Sequence, residues 1–390
     1  MYRPQNLRLP GPTFVPQAVL QASARPIINH RGPEFAALLA AVTRALQDFL
    51  QTRNDVLLLT SSGTGGLEAA LVNVLSPGDK VIAFNNGSFG ERWAAMAKAF
   101  GLDVRRVDVQ PGRAIEPDLV RDELRKDATT KAVLVTHNET SVGVLNPLKD
   151  IAPVVRESGK LFLVDSISGA GAIELDVDGW GIDVLVTASQ KGWGAPPGIA
   201  MVAVSERAWK ATETASSPRY YFDFQKAKAS LEKGATPWTP AITVVIALQE
   251  SLRLMSEEGL ESIIERHEDL ARATRKGVQA LGLQLFADEL YASPVVTAVR
   301  SPARVDSRNL ARVLRDEYDC VVAGGQGKLE GQIFRIGHMG FVTIADIIAM
   351  FGALELAVRR FNISAEPGTA ITAALRAYAA EPVPAGARRG

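Results

Sequence analysis

Residues 161–194, LFLVDSISGAGAIELDVDGWGIDVLVTASQKGWG, constrain this chain more than any other stretch. Two apolar runs rich in Val, Leu and Ile lie inside it. The first ends in Asp165; the second, residues 182–187, ends just before Ser189, Gln190 and Lys191. Runs this short and apolar read as buried strands. Asp165 and Lys191 then sit at or just past strand ends, where open α/β sheets hold their ligands. An acid and an amine at one sheet edge suit two readings. One is a structural salt bridge. The other is a Schiff-base lysine beside a carboxylate that holds a protonated ring nitrogen.

The preceding residues supply the rest of such a sheet. Strands are expected at 56–60, 80–84, 104–109, 131–136 and 161–164, with helices at 90–100, 117–126 and 147–157 between them. An earlier helix opens at Pro33, with Phe35, Leu38, Leu39, Val42, Leu46 and Phe49 at helical spacing. Strand–helix alternation implies a mostly parallel sheet covered on both faces. The strand at 56–60 runs into SSGTGG and then a helical LEAALVNVL. That order is an anion-binding construction, because free N–H groups and the positive end of the helix dipole face one point. A dinucleotide fingerprint fails there, since position 68 is Glu, and no Walker motif surrounds Gly327-Lys328. A phosphate monoester therefore fits better than a dinucleotide or ATP; an ordinary capped helix end is the plainer reading. Two further loops at the same edge hold Phe89 between glycines and the polar run His137-Asn138-Glu139-Thr140-Ser141.

Residues 1–21, with Pro4, Pro10, Pro12 and Pro16, read as an extended arm. Residues 216–240 read as irregular and aromatic, a lid or subunit contact. The large domain is expected to span 22–258, and a smaller α+β domain 259–375, with short strands at 283–286, 295–300, 321–322 and 333–336. Residues 376–390 read as a mobile tail. Arg335 lies in the apolar strand IFRIG and needs either an internal partner or a substrate carboxylate.

Composition removes other classes. Lys plus Arg equal Asp plus Glu at 43 each, so nothing in the charge balance points to nucleic acid as the main partner. One cysteine, Cys320, and four histidines without ligand spacing argue against a metal centre. Asp346 and Glu355 break the apolar stretch 341–358, and the N-terminus has no signal-like apolar run, so a cytoplasmic protein away from membranes is expected.

Several pieces occur in one order: SSGTGGLEAALVNVLSPGD, NGSFGERW, VGVLNPL, LVDSISG, GIDVLVTASQKGWGAPPG and IFRIGHMG. Together the chain resembles the class V aminotransferases of pyridoxal phosphate (PLP) fold type I, most closely the alanine/serine–glyoxylate family. The resemblance implies an α/β large domain around a seven-stranded-type sheet with a smaller C-terminal domain. It implies PLP as cofactor, with Lys191 as Schiff-base lysine and proton carrier and Asp165 at the ring nitrogen. Phe89 and Ile167 would cover the ring faces, and Thr140 its edge. Ser62, Gly63, Thr64 and Gln190 would hold the phosphate, joined by Thr239 from the partner of a homodimer. Thr236 stands where some relatives carry a tyrosine for the phosphate. Arg335 would clamp the α-carboxylate of a small amino acid (Ala, Ser or Asp), with glyoxylate or pyruvate as acceptor. Arg31 is a second cation or a surface residue. A lyase or desulfurase of the same fold would need Cys320 as nucleophile, and a non-catalytic binding protein is the remaining alternative.

Overall fold

Alternation along single strands explains the architecture. In the strand Ala132–Thr136, Val133 and Val135 enter one core while Ala132 and Leu134 enter another. Both faces of the sheet are buried, as continuous apolar runs require.

The computed structural model describes residues 5–302 and 304–380. Strand β1 (Asn6–Arg8) and helices α1 (Gln17–Ser23) and α2 (Pro33–Leu50) come first. Then follow β2 (Asp55–Thr60), α3 (Gly63–Val74), β3 (Lys80–Asn85), α4 (Ser88–Ala99), β4 (Asp103–Asp108), α5 (Pro117–Arg125) and β5 (Ala132–Thr136). A hairpin of β6 (Asn138–Glu139) and β7 (Val144–Leu145) precedes α6 (Leu148–Ser158), β8 (Leu161–Asp165), β9 (Val184–Ala188) and β10 (Ile199–Val204). Helices α7 (Glu206–Thr212), α8 (Phe224–Leu231), α9 (Ile242–Glu258) and α10 (Leu260–Ala280) follow. The last part holds β11 (Val296–Arg300), α11 (Ser307–Tyr318), β12 (Cys320–Gly324), β13 (Ile333–Gly337), α12 (Ile344–Arg359) and α13 (Thr369–Ala379).

The main sheet has seven strands in the order β2-β10-β9-β8-β5-β3-β4. Only β10 runs against its neighbours, β2 and β9. All the others point one way, so their carboxyl ends share one edge. Helices α2, α6 and α9 pack on one face, and α3, α4, α7 and α8 on the other. A second sheet, in the order β1-β12-β13-β11, is covered by α10 to α13. Among the described residues no helix is long and apolar enough to cross a membrane.

Four local expectations change. The arm is not simply extended: β1 pairs parallel with β12, and α1 packs on α9. Edge pairing gives the arm's N–H and C=O groups partners that an isolated strand would lack. The irregular aromatic segment contains α8, whose start Asp223 caps through the Lys226 N–H. Residues 283–286 form no strand, only an isolated bridge between Leu285 and Val299. The first residues of the tail expected from 376 are helical instead, because α13 carries its amphipathic face to Ala379 against α10; the rest of that stretch, residues 381–390, lies outside the described residues.

The arm's seat gives a test. A Cβ on Gly337 would stand 2.3 Å from the Leu9 carbonyl oxygen, so Gly337→Ala must push the arm off β13. It should cost about 1–3 kcal/mol in urea unfolding, the usual price of overpacking. Gly352→Ala, in α12 with no atom within 4 Å of the new Cβ, should instead stabilise by about 0.5–1 kcal/mol. Equal effects from the two would refute this account.

Candidate active site

Strand ends build the site. Asp165 closes β8, and Lys191 follows β9. Asp165 is 3 % exposed, and its Oδ1 accepts the Ile167 N–H at 2.9 Å. The His137 N–H, just past β5, donates to the Asp165 carbonyl at 2.8 Å and fixes the strand end. Burial pushes the Asp165 carboxyl up to about 7, against the pull of Lys191 and Arg92 through space. Burial, then the Arg335 charge, brings the Lys191 amine down to about 8. The two groups form no direct ion pair among the described residues, so the salt-bridge reading fails.

The amino-terminal arm completes the lysine's setting. Lys191 Nζ donates to the Pro10 carbonyl at 2.7 Å. A Cβ on Gly11 would stand 2.4 Å from Nζ, so only glycine leaves the amine its room. Thr13 donates from Oγ1 to the Lys191 carbonyl at 2.9 Å, and from its N–H to the Gln190 carbonyl at 3.0 Å.

Opposite lies the start of α3. A Cβ on Gly63 would come within 2.6 Å of Ile167 Cδ1, so the backbone must be bare there. Ser62 precedes the helix and makes no side-chain cap; both it and Thr64 are exposed. Gln190 Oε1 is buried without a partner, and the amide turned over would offer Nε2 to a phosphate oxygen. A bare helix start, an acid and an amine suit the three ends of PLP: phosphate, ring nitrogen and aldehyde.

Arg335 is 5 % exposed and has no carboxylate at ion-pair distance among the described residues. Its Nε donates to the Gly324 carbonyl at 2.9 Å, and one Nη to the Thr140 carbonyl at 3.1 Å. Burial lowers it to about 10. The Thr140 hydroxyl shares a 2.6 Å hydrogen bond with Ser168. Phe89, in the first turn of α4, lies under the Arg92 guanidinium at 4.9 Å.

The family sequence model Aminotransferase class-V matches residues 10–341. This chain belongs to the class V aminotransferases. It is 37% identical to the L-aspartate–glyoxylate aminotransferase of Paracoccus denitrificans, over 95% of each chain. A soluble hydrogenase small subunit from Synechococcus is 42% identical, over 95% of this chain and 97% of that one. The crystal structure of the ureidoglycine–glyoxylate aminotransferase of Bacillus subtilis superimposes with a TM-score of 0.92 at 30% identity, covering 97% of this chain and 99% of that one. The class V aminotransferase is a PLP-dependent transaminase of the fold type I architecture.

Within the aminotransferase, Asp165, Ile167, Gly63, Lys191, Gln190, Thr140 and Arg335 are linked by the contacts and charge effects above, and Phe89 joins them through Arg92, whose charge acts on both Asp165 and Lys191. Thr239 does not join them: it is exposed and makes no side-chain hydrogen bond among the described residues. Arg31 is also exposed and donates to the Thr236 and Pro237 carbonyls, which ties it to that loop rather than to Lys191. Cys320 lies buried in β12 with its thiol pushed up to about 11 by burial, the opposite of a desulfurase nucleophile. A cleft of about 750 Å³ beside Trp180, Arg272 and Tyr291 includes none of the residues expected to hold PLP or substrate. Sequence reading missed Pro10, Thr13, Ser168 and the role of Glu139. The Pro-Gly-Pro run and the polar His137-to-Ser141 loop were the available signals.

The lowered Lys191 amine sets a pH dependence. It adds to an aldehyde only as the free base, and that fraction grows as pH passes its pKa. Capture of added PLP by the apoenzyme, followed by absorbance, should accelerate with pH through about 8 and then level. Lys191→Ala should abolish the borohydride-fixed band. A rate flat from about pH 6 to about pH 9 would contradict the lowered amine.

Proposed function

We propose that this aminotransferase takes the amino group of a small amino acid, alanine or serine with aspartate as a third donor, and passes it to glyoxylate or pyruvate. The observation that carries the reading is the buried, unpaired Arg335 beside Lys191. A guanidinium held by two carbonyls keeps its charge uncompensated until a carboxylate arrives. Glyoxylate is named in the Paracoccus and Bacillus proteins, which supports it as acceptor.

In this reading Ser62, Gly63, Thr64 and Gln190 hold the PLP phosphate, with Thr239 supplied by the second chain of a homodimer. Phe89 and Ile167 cover the two ring faces, and Thr140 meets the ring edge. Asp165 keeps the ring nitrogen protonated; the arriving cation draws its carboxyl back from the raised value that burial imposes. When bound, the cofactor supplies an electron sink that makes the substrate Cα proton acidic. Lys191 Nζ, as a free amine, would take that proton and deliver it to the cofactor's aldehyde carbon. The Pro10 carbonyl accepts a hydrogen bond from Nζ and orients it. Arg335 fixes the substrate by its carboxylate.

Three measurements test this. Initial rates with Ala, Ser, Asp and Glu against glyoxylate, pyruvate and 2-oxoglutarate should favour the small partners; a preference for Glu with 2-oxoglutarate would overturn the assignment. Arg335→Gln should lower kcat/KM on the order of 100-fold, mostly through KM. Sedimentation should give a dimer, and a fully active monomer would remove Thr239 from the site.

A further inference from the structure

Glu139 is a carboxylate with no solvent exposure, and the reaction steps above do not use it. Its Oε2 accepts the N–H groups of Phe89 at 3.1 Å and Gly90 at 3.0 Å. Its Oε1 accepts the Ser141 N–H at 3.1 Å and the Ser141 hydroxyl. The Ser141 Oγ in turn accepts the Ser88 N–H at 2.9 Å. These three N–H groups, of Ser88, Phe89 and Gly90, open α4, whose own N-cap is Gly87 and has no side chain to offer. A side chain from β6, about fifty positions downstream, thus does the capping (|i−j| = 50 to Phe89). The next residue carries two more roles. Thr140 accepts Arg335 on its carbonyl and meets Ser168 with its hydroxyl.

We propose that Glu139 is a positioning residue that sets the plane of Phe89 against the cofactor ring, while Thr140 in the same segment holds Arg335 in register with it. The inference rests on the reading of Phe89 as the residue that covers the ring. A bare cap would need only stability. The placement here does more, because the N–H groups it grips belong to the stacking residue and its neighbour. The backbone of one short segment, anchored by the β6–β7 hairpin, then fixes both the ring face and the carboxylate clamp. Gln in place of Glu139 keeps the size but turns one acceptor into a donor facing N–H groups.

The test uses the holoenzyme of Glu139→Gln, Phe89→Ala and the double variant. The readouts are the PLP dissociation constant, the circular dichroism of the bound-cofactor band, and the unfolding midpoint. Glu139→Gln should weaken PLP about tenfold, the loss of one charge-assisted hydrogen bond, and shrink the dichroic band. In the Phe89→Ala background it should change neither further, because the two act through one contact. A lowered unfolding midpoint with affinity and band intact makes Glu139 a helix cap only and overturns the proposal. Additive losses in the double variant overturn it as well. If Phe89→Ala alone leaves affinity and band untouched, it is the stacking assignment that falls, a separate result. Should Glu139→Gln not fold, Ser141→Ala keeps the charge and loosens its grip. It should weaken PLP about two- to threefold with the same change of band, and an unchanged band there counts against the proposal.

Discussion

Four charges, Asp165, Glu139, Lys191 and Arg335, lie inside this molecule within electrostatic reach of one another, and no two make a direct ion pair among the described residues. Taking a charge from water without a partner is among the costliest things a fold can do. Here the cost shows as shifts toward neutrality, with Asp165 and Glu139 raised and Lys191 and Arg335 lowered. Such a site is incomplete by construction. In the function proposed, a ring nitrogen, an aldehyde and a carboxylate would each relieve one of these charges. The architecture serves this arrangement: only a sheet whose strands end along one edge brings the acid, the amine and the helix start together.

The two sheets share the site through the arm. β1 belongs to the smaller sheet, yet Pro10 touches Lys191 and Thr13 donates to the carbonyls of both Gln190 and Lys191. Arg335 stands on β13 in the same smaller sheet and donates to the Thr140 carbonyl beside the large one. The Lys191 amine and the Arg335 guanidinium are therefore both referenced to the smaller sheet. Any relative shift of the two layers alters them together.

What the sequence disclosed followed from short range. Period-two alternation at 132–136 and continuous apolar runs at 161–165 and 184–188 carried the strands, and strand ends carried Asp165 and Lys191. The turn at Gly63 was legible as the entry to a helix, but glycine and hydroxyl residues there serve an ordinary capped end equally well, so its bareness shows only once Ile167 is packed against it. Contacts across long separation were not legible. Glu139 looks like one more polar loop residue until α4 is laid beside it. Arg335 read as evenly balanced between a partner within the chain and one from outside, and only packing removes the first. The arm read as extended because proline speaks only for the local chain, whereas its partner strand lies some 300 positions away (Asn6 opposite Cys320). The segment 283–286 carried strand-like residues but no full neighbour to pair with.

The reversed strand β10 sets an order of assembly. β9 and β10 are joined by the short loop that holds Lys191, so their pairing closes locally and early. The arm is synthesised first, but its seat, β12 and β13, is synthesised more than 300 residues later (Asn6 pairs with Cys320). On a ribosome the lysine loop can fold while Pro10 waits undocked. The amine reaches the setting seen here only when the first and last thirds of the chain meet, so the hydrogen bond that orients it is among the last contacts a growing chain can make.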